Sequence, residues 1–228
     1  MAFVNGRKVY PLAVAQDHKR ARDGDAGPNT GGMGAYSPVP FVGADDIRAA
    51  METIMIPAAL ALADEGCPFT GVLYGGLMKT AAGIKVIEFN ARFGDPETEV
   101  VLPRLKNDLL QVLLDVLAGK DIELEWSDEV VLGVVLASEG YPGEYLKGNV
   151  IEDIPGEGVF HMGTALREGK IVNNGGRVLI ATGRGPDFFS ARERAYEIAG
   201  LVRGRLFYRR DIGRQALNYE KEKHGGGK

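Results

Sequence analysis

KVIEFNARFGDPETE, residues 85–99, joins a run of alternating polarity to an acidic corner, and the fold follows from how that run is read. In a strand, successive side chains point to opposite faces. Ile87, Phe89 and Ala91 then form an apolar side, while Glu88, Asn90 and Arg92 share the other. A carboxylate and an amide oxygen side by side are hard ligands suited to Mg²⁺, which prefers oxygen and is commonly shared between one or two protein groups and a substrate phosphate. Arg92 carries the planar fork that grips such a phosphate through paired hydrogen bonds. The same alternation also describes a half-exposed strand with a solvated outer face, and spacing alone leaves both readings open. Past Gly94, Pro96 suits a first helical position, and Glu97 and Glu99 put negative charge at a helix N-terminus.

Upstream, residues 70–79 read as a strand joined to 84–92 by the short turn Ala81-Ala82-Gly83, a length that favours an antiparallel hairpin. Gly71, Gly75 and Gly76 would weaken the first strand unless something approaches it closely. A near-match to a phosphate-binding P-loop at residues 71–80 is rejected, because its lysine is displaced and no loop-to-helix context follows. Residues 44–65 read as a helix capped by Asp45 or Asp46, with Ile47, Met51, Ile54, Met55, Ala58 and Leu62 on one face. Gly66 should end it and Pro57 should kink or split it. At the start, Ala2 to Val4, Asn5-Gly6 and Lys8 to Val14 spell a hairpin. A chain that opens inside a sheet is expected to continue upstream.

Between hairpin and helix lies QDHKRARDGDAGPNTGGMGAYSPVP, residues 16–40, rich in glycine and proline and without apolar periodicity. Structureless loops of this length in compact domains are usually functional or disordered. The mixture of His18, Lys19 and Arg20 with Asp23, Asp25 and the turn from Asn29 to Gly34 favours function. Glycines let backbone N–H groups approach an anion, and they equally permit a tight structural turn.

Downstream of the acidic corner, Asn107 is expected to cap an apolar helix at 109–117 stopped by Gly119. The acidic connector DIELEWSD, residues 121–128, is the expected domain boundary, drawn between 122 and 123. Beyond it the reading gives strands at 130–137, near 150, and at 159–162, 170–172 and 177–182, then a helix at 190–202, an α+β module with an antiparallel sheet. Asn173 to Gly176 reads as a hairpin turn, His161 as an ordinary partly buried histidine, Asp211 and Arg214 as a local pair, and 220–228 as a disordered tail.

Hydrophobic residues at 45% and charged residues at 25% fit a globular protein with a real core. A net formal charge of -4 argues against nucleic acid, whose binding shows a basic face. An anionic small molecule needs only a local cluster. The single Cys67 suits a reducing, cytoplasmic setting, and its place after Gly66 in an expected turn, with no histidine nearby in sequence, argues against a catalytic thiol. No run approaches the roughly 18 apolar residues of a membrane span.

Two stretches, 16–38 and FTGVLYGGLMKTAAGIKVIEFNARFGDPETE at 69–99, closely resemble hallmark segments of the glycinamide ribonucleotide synthetase family of the ATP-grasp superfamily. GYPGEYLKG at 140–148, FHMGTA at 160–165, NNGGRVL at 173–179 and YRRDIG at 208–213 extend the resemblance over nearly the whole chain. It implies a fold: the C-terminal part of an ATP-grasp unit over 1–122, with an antiparallel sheet and helices, then a small α+β domain over 123–219. It implies a reaction: ATP phosphorylates glycine's carboxylate, and 5-phosphoribosylamine displaces phosphate from glycyl phosphate to give glycinamide ribonucleotide. By matching position, Glu88 and Asn90 become the ligands of Mg²⁺ or Mn²⁺ and Arg92 contacts the phosphoryl group. Asp95, assigned with Arg92 to the chemistry, and Glu97 are placed to take glycine's ammonium. Asp17, Lys19, Asn29, Thr30, Gly31, Gly32, Met33 and Gly34 are expected to line the glycine and phosphoribosylamine pocket.

The family's enzymes are about twice this length, and the resemblance leaves out an N-terminal domain and the lobe carrying much of the ATP site. The expectation is therefore an incomplete ligase, inactive alone, whose partners are ATP, glycine, phosphoribosylamine and a missing N-terminal half. Its rival is a non-catalytic binding or assembly module on the same fold. A metal-dependent phosphohydrolase lacks a second metal cluster or base.

Overall fold

The computed structural model describes residues 1–225, an α+β protein whose strand pairs among those residues are antiparallel. In chain order the strands are β1 (Ala2–Asn5), β2 (Lys8–Pro11), β3 (Gln16–Asp17), β4 (Arg20–Arg22), β5 (Ala26–Asn29), β6 (Gly34–Ser37), β7 (Thr70–Thr80), β8 (Gly83–Asn90), β9 (Val130–Ser138), β10 (Val159–His161), β11 (Thr164–Arg167), β12 (Lys170–Asn173), β13 (Arg177–Gly185) and β14 (Leu206–Phe207). The α-helices are α1 (Ala44–Ala50), α2 (Ile56–Asp64), α3 (Thr98–Val101), α4 (Leu109–Leu117), α5 (Phe188–Leu201) and α6 (Arg214–Gly225). These elements gather into two compact units that are not consecutive halves. The first takes Met1–Val14, Pro40–Gly94 and Leu105–Ser127, and the second Ala15–Val39, Asp95–Arg104 and the described residues from Asp128 onward.

The first unit is a four-stranded sheet in the order β2-β1-β7-β8. Its first hairpin turns at Asn5-Gly6, with Gly6 at φ 58°, the left-handed conformation that makes Asn-Gly a hairpin signal. Met55 and Ala59 pack on Ala2, Val4 and Leu73 in a buried cluster, where each larger aliphatic side chain withdrawn from water contributes about 1.5–3 kcal/mol. Pro57 has no N–H to give to residue 53, and the helix answers with a π turn at Met51–Met55 before α2 resumes, the expected local response to a proline inside a helix. The N-cap is Gly43, and Asp46 contributes from the third helical position, its carboxylate accepting the Gly43 N–H at 3.0 Å. Likewise Asp108, rather than Asn107, caps α4, its side chain accepting from the Gln111 N–H at 2.8 Å. Asn107 instead ties the acidic connector down, donating to the Glu123 carbonyl and accepting from the Glu125 N–H. The connector is thus part of the first unit's fabric as far as Ser127.

The second unit centres on β9, whose nine residues are all buried. Its main sheet runs β10-β13-β9-β6-β3, with β14 also paired to β9. Helix α5 lies on β13 so closely that a Cβ on Gly183 would sit 2.1 Å from the Ala191 carbonyl oxygen, a contact only glycine permits. Here the expectation of an irregular loop over 16–40 is corrected. That stretch contributes β3, β4, β5 and the wholly buried β6, which pairs with β9 from Gly34↔Val134 to Ser37↔Val131. A four-residue strand reading GAYS carries too little alternation to announce itself. Asn173 to Gly176 does not turn a hairpin, because β12 pairs with β11 and β13 with β9 and β10. Asp211 pairs with Arg209 rather than Arg214. Residues 220–225, expected as tail, continue α6, while 226–228 lie outside the described residues.

Candidate active site

In the second unit, Asp17 on β3 buries its carboxylate, and Lys19 Nζ lies 2.5 Å from its Oδ2. The loop back to β6 is fixed by its own backbone. The Thr30 N–H and hydroxyl both donate to the Lys19 carbonyl, and the Gly32 N–H donates to Thr30 Oγ1 at 3.0 Å. The Met33 N–H donates to the His18 carbonyl, and the Gly31 N–H to the Tyr141 hydroxyl at 3.1 Å. The amides from Thr30 to Met33 are therefore engaged within the protein, and the loop's glycines serve close packing. A Cβ on Gly31 would meet the Arg177 guanidinium at 2.8 Å, and one on Gly32 would meet Pro96 Cδ at 2.4 Å and Asp17 Oδ1 at 2.6 Å. Met33 and Gly34 are buried and Asn29 is exposed.

This packing sets the loop against the acidic corner. Arg177 Nη1 donates to the carbonyls of Gly31 at 3.1 Å and Asp95 at 2.7 Å and lies 2.9 Å from Asp95 Oδ1. Glu97 is 4% exposed. Glu99 opens α3 with its Oε2 buried and without a hydrogen-bond partner. Four carboxylates thus face two cations. Burial, then repulsion from Glu97, pushes Asp17 up to about 7 against the pull of Lys19. Burial also pushes Glu99 up to about 7, with Asp95 and Glu97 adding to it and Arg177 opposing. A small cation entering this cluster would offset charge that the fold leaves unbalanced. Next to it His18 is buried, its imidazole driven down to about 4 by burial and by Arg209.

The remaining sequence-predicted residues belong to the first unit. Glu88 and Asn90 share a face of β8, Glu88 exposed and Asn90 half-buried. Arg92 lies two residues past the strand, exposed, donating to the Phe93 carbonyl at 2.8 Å. Among the described residues no three His, Cys, Asp or Glu side chains converge as a metal cage. One carboxylate and one amide oxygen are the partial donor set of a Mg²⁺-type ion that takes its other ligands from phosphates and water, so the pair fits that group. Sequence reasoning did not name Glu99, Arg177 or Tyr141 as site residues. Glu99 was in view as a helix-start acid. Arg177 and Tyr141 lie far along the chain from the loop they hold, where spacing carries no signal.

Comparison with known proteins finds relatives over nearly the whole chain. Models of the phosphoribosylglycinamide synthetase ATP-grasp (A) domain and C domain match residues 1–98 and 131–215. Phosphoribosylamine–glycine ligase of Halalkalibacterium halodurans is 54% identical over 222 residues, covering 95% of this chain and 52% of that protein. The Lactococcus lactis enzyme of the same name is 48% identical over 220 residues, covering 95% and 53%. The crystal structure of phosphoribosylamine–glycine ligase from Thermotoga maritima has a TM-score of 0.85 at 40% identity, covering 92% of this chain and 54% of that one. The biotin carboxylase domain of a thermophilic 2-oxoglutarate carboxylase has a TM-score of 0.63 at 13% identity, a likeness of fold alone. The chain spans about half the length of the curated relatives it matches.

Proposed function

The chain belongs to the phosphoribosylglycinamide synthetase family, and from that premise we propose that it is part of an ATP-dependent carbon–nitrogen ligase joining glycine to 5-phosphoribosylamine, giving glycinamide ribonucleotide, ADP and phosphate in purine synthesis. In this reading residues 1–122 are the C-terminal part of an ATP-grasp domain and 123–219 a C-terminal domain, a missing N-terminal half supplies the rest, and the setting is cytoplasmic. The observation that carries it is the cluster of Asp17, Asp95, Glu97 and Glu99, partly open at Asp95 and otherwise largely withdrawn from water, whose unbalanced charge suits an ammonium ion on a molecule as small as glycine.

The cluster holds glycine by its ammonium and leaves the carboxylate outward as phosphoryl acceptor. Arg177 keeps Asp95 and the Gly31–Gly32 turn together, so the ammonium subsite is formed before glycine arrives, which lowers the ordering cost of binding. Arg92 offers its fork to the transferred phosphoryl group. Glu88 and Asn90 would hold Mg²⁺ or Mn²⁺, which when bound neutralises charge on the polyphosphate. The phosphoribosylamine nitrogen then attacks the glycyl phosphate carbonyl, the C–N bond forms, and phosphate leaves with the electron pair of the broken C–O bond.

Isothermal titration separates this from a non-catalytic module. Glycine should bind and glycolate, with a hydroxyl in place of the ammonium, should not. Equal binding of both would overturn the ammonium assignment. Steady phosphate release by this chain alone from ATP, glycine and phosphoribosylamine would overturn the incompleteness.

A further inference from the structure

Strand β8 ends the first unit's sheet, and among the described residues no strand pairs with its outer edge. Six of its eight residues are exposed, including Val86 at 44%, Ile87 at 64% and Phe89 at 44%. An edge this long and apolar is a template for another strand, and proteins usually shorten it, cover it or place charge on it. Here the charge has a pattern of its own.

The ladder between β7 and β8 shifts where Gly76 pairs with Glu88 and Leu77 with Val86, so Ile87 is an extra residue. Such a bulge exchanges the faces of the residues beyond it. Tyr74, Gly76, Met78 and Thr80 share one face of β7, and they oppose Asn90, Glu88, Lys85 and Gly83. Lys85 therefore lies on the same face as Glu88, where simple alternation would set the two apart. Ile84, Val86 and Phe89 share the other face, opposite Lys79, Leu77 and Gly75. Neither Lys85 nor Glu88 has an ion-pair partner among the described residues.

We infer that β8 pairs antiparallel with β8 of a second copy of this chain, joining two four-stranded sheets into one across a two-fold axis. A two-fold normal to a sheet preserves its faces, so residues that meet across the axis must share a face. The register that overlaps the whole strand meets this condition. It sets Gly83 opposite Asn90, Ile84 opposite Phe89 and Lys85 opposite Glu88, each pair occurring twice, with Val86 beside Ile87 at the axis. Opposite charges and an aromatic facing a β-branched side chain are the pairs that stabilise antiparallel strands. A shift of one residue sets Lys85 against Phe89 or Ile87 instead. The charges that repel other strands thus select this one, and it is this complementarity of β8 to itself that favours a second copy as the occupant. The contact is isologous, so association stops at two.

Sedimentation velocity on the chain, of mass 24.5 kDa, should show monomer giving way to a species of twice that mass between about 1 and 200 µM, a weak range suited to an interface below standard size. Lys85→Glu and Glu88→Lys, each checked for folding by circular dichroism, should each weaken dimerisation by about tenfold, because each sets like charges opposite one another twice. The double variant carrying both substitutions restores opposite signs and should dimerise within about threefold of the parent. A parent chain that stays monomeric over that range overturns the inference and leaves the edge to a different polypeptide. A double variant as weak as the single ones overturns it too. So does a dimer indifferent to both reversals but lost in Leu114→Lys, which would move the contact to the leucines that α4 exposes.

Discussion

Replacing Asp17 with Asn should make the second unit more stable at pH 8, leave it unchanged at pH 4, and remove glycine binding. The carboxyl titrates at about 7 in the fold against 3.8 ordinarily. Between those values the unfolded chain has released a proton that the folded chain still holds, so stability is full below 3.8, falls as pH rises, and has lost the whole contribution above 7. About three units at 1.36 kcal/mol each set a ceiling of about 4 kcal/mol on the cost of the buried charge at pH 8. The amide keeps the shape without the charge but gives up the 2.5 Å contact with Lys19. A net gain of about 2 kcal/mol, or about 4–8 °C in Tm, is the working figure for a protein of this size. Thermal unfolding of both proteins followed by circular dichroism from pH 4 to 8 reads the difference directly, because titrations remote from Asp17 cancel between them. Equal stability at pH 8, or a gap that does not close at pH 4, would refute the reasoning.

Gly32→Ala should cost about 2–5 kcal/mol in urea unfolding, since it combines a left-handed backbone with overpacking: φ is 123° and the new methyl would meet Pro96 Cδ at 2.4 Å. A neutral result would show that the loop yields freely. Arg209→Ala should cost about 3–5 kcal/mol by leaving Asp25 and Asp211 without their buried partner, visible as a lower midpoint in the same titration. His18→Gln should flatten the acid side of the stability profile. The folded imidazole is held down to about 4, so the neutral form is favoured and stability present above 6.5 is lost as pH falls toward 4. Asp108→Ala should cost about 1 kcal/mol through loss of the α4 cap and leave glycine affinity, measured by titration, unchanged.

The parts of the fold visible in the sequence are those whose cause is local. Asn5-Gly6 demands a tight hairpin wherever it sits, and Pro57 disrupts a helix without help from any neighbour. β6 was not visible, because Gly34–Ser37 becomes a strand only by hydrogen bonding to residues about 100 positions away. Capping was misread for a related reason. At α1 the cap is Gly43 and Asp46 acts from the third helical position, while at 107–108 a shift of one residue decides whether an amide or a carboxylate meets the N–H of Gln111. The acidic corner was legible as composition, yet its excess of charge emerges only when the loop packing brings Asp17 beside Glu97.

The alternation at 85–92 shows the remaining limit. It correctly paired Glu88 with Asn90, but the side expected to be covered is open, with Ile87 64% and Phe89 44% exposed. Alternation tells that a strand has two faces; another layer of the protein decides which one is covered. This separates the two groups of candidate residues energetically. Glu88 is exposed, so its presence alone says little about function. Asp17 and Glu99 are withdrawn from water beside two further carboxylates, an arrangement that lowers stability near neutral pH and that a neutral side chain of the same shape would relieve. Groups held at such a cost are the stronger candidates for ligand contact, and here a cation of glycine's size would restore the balance.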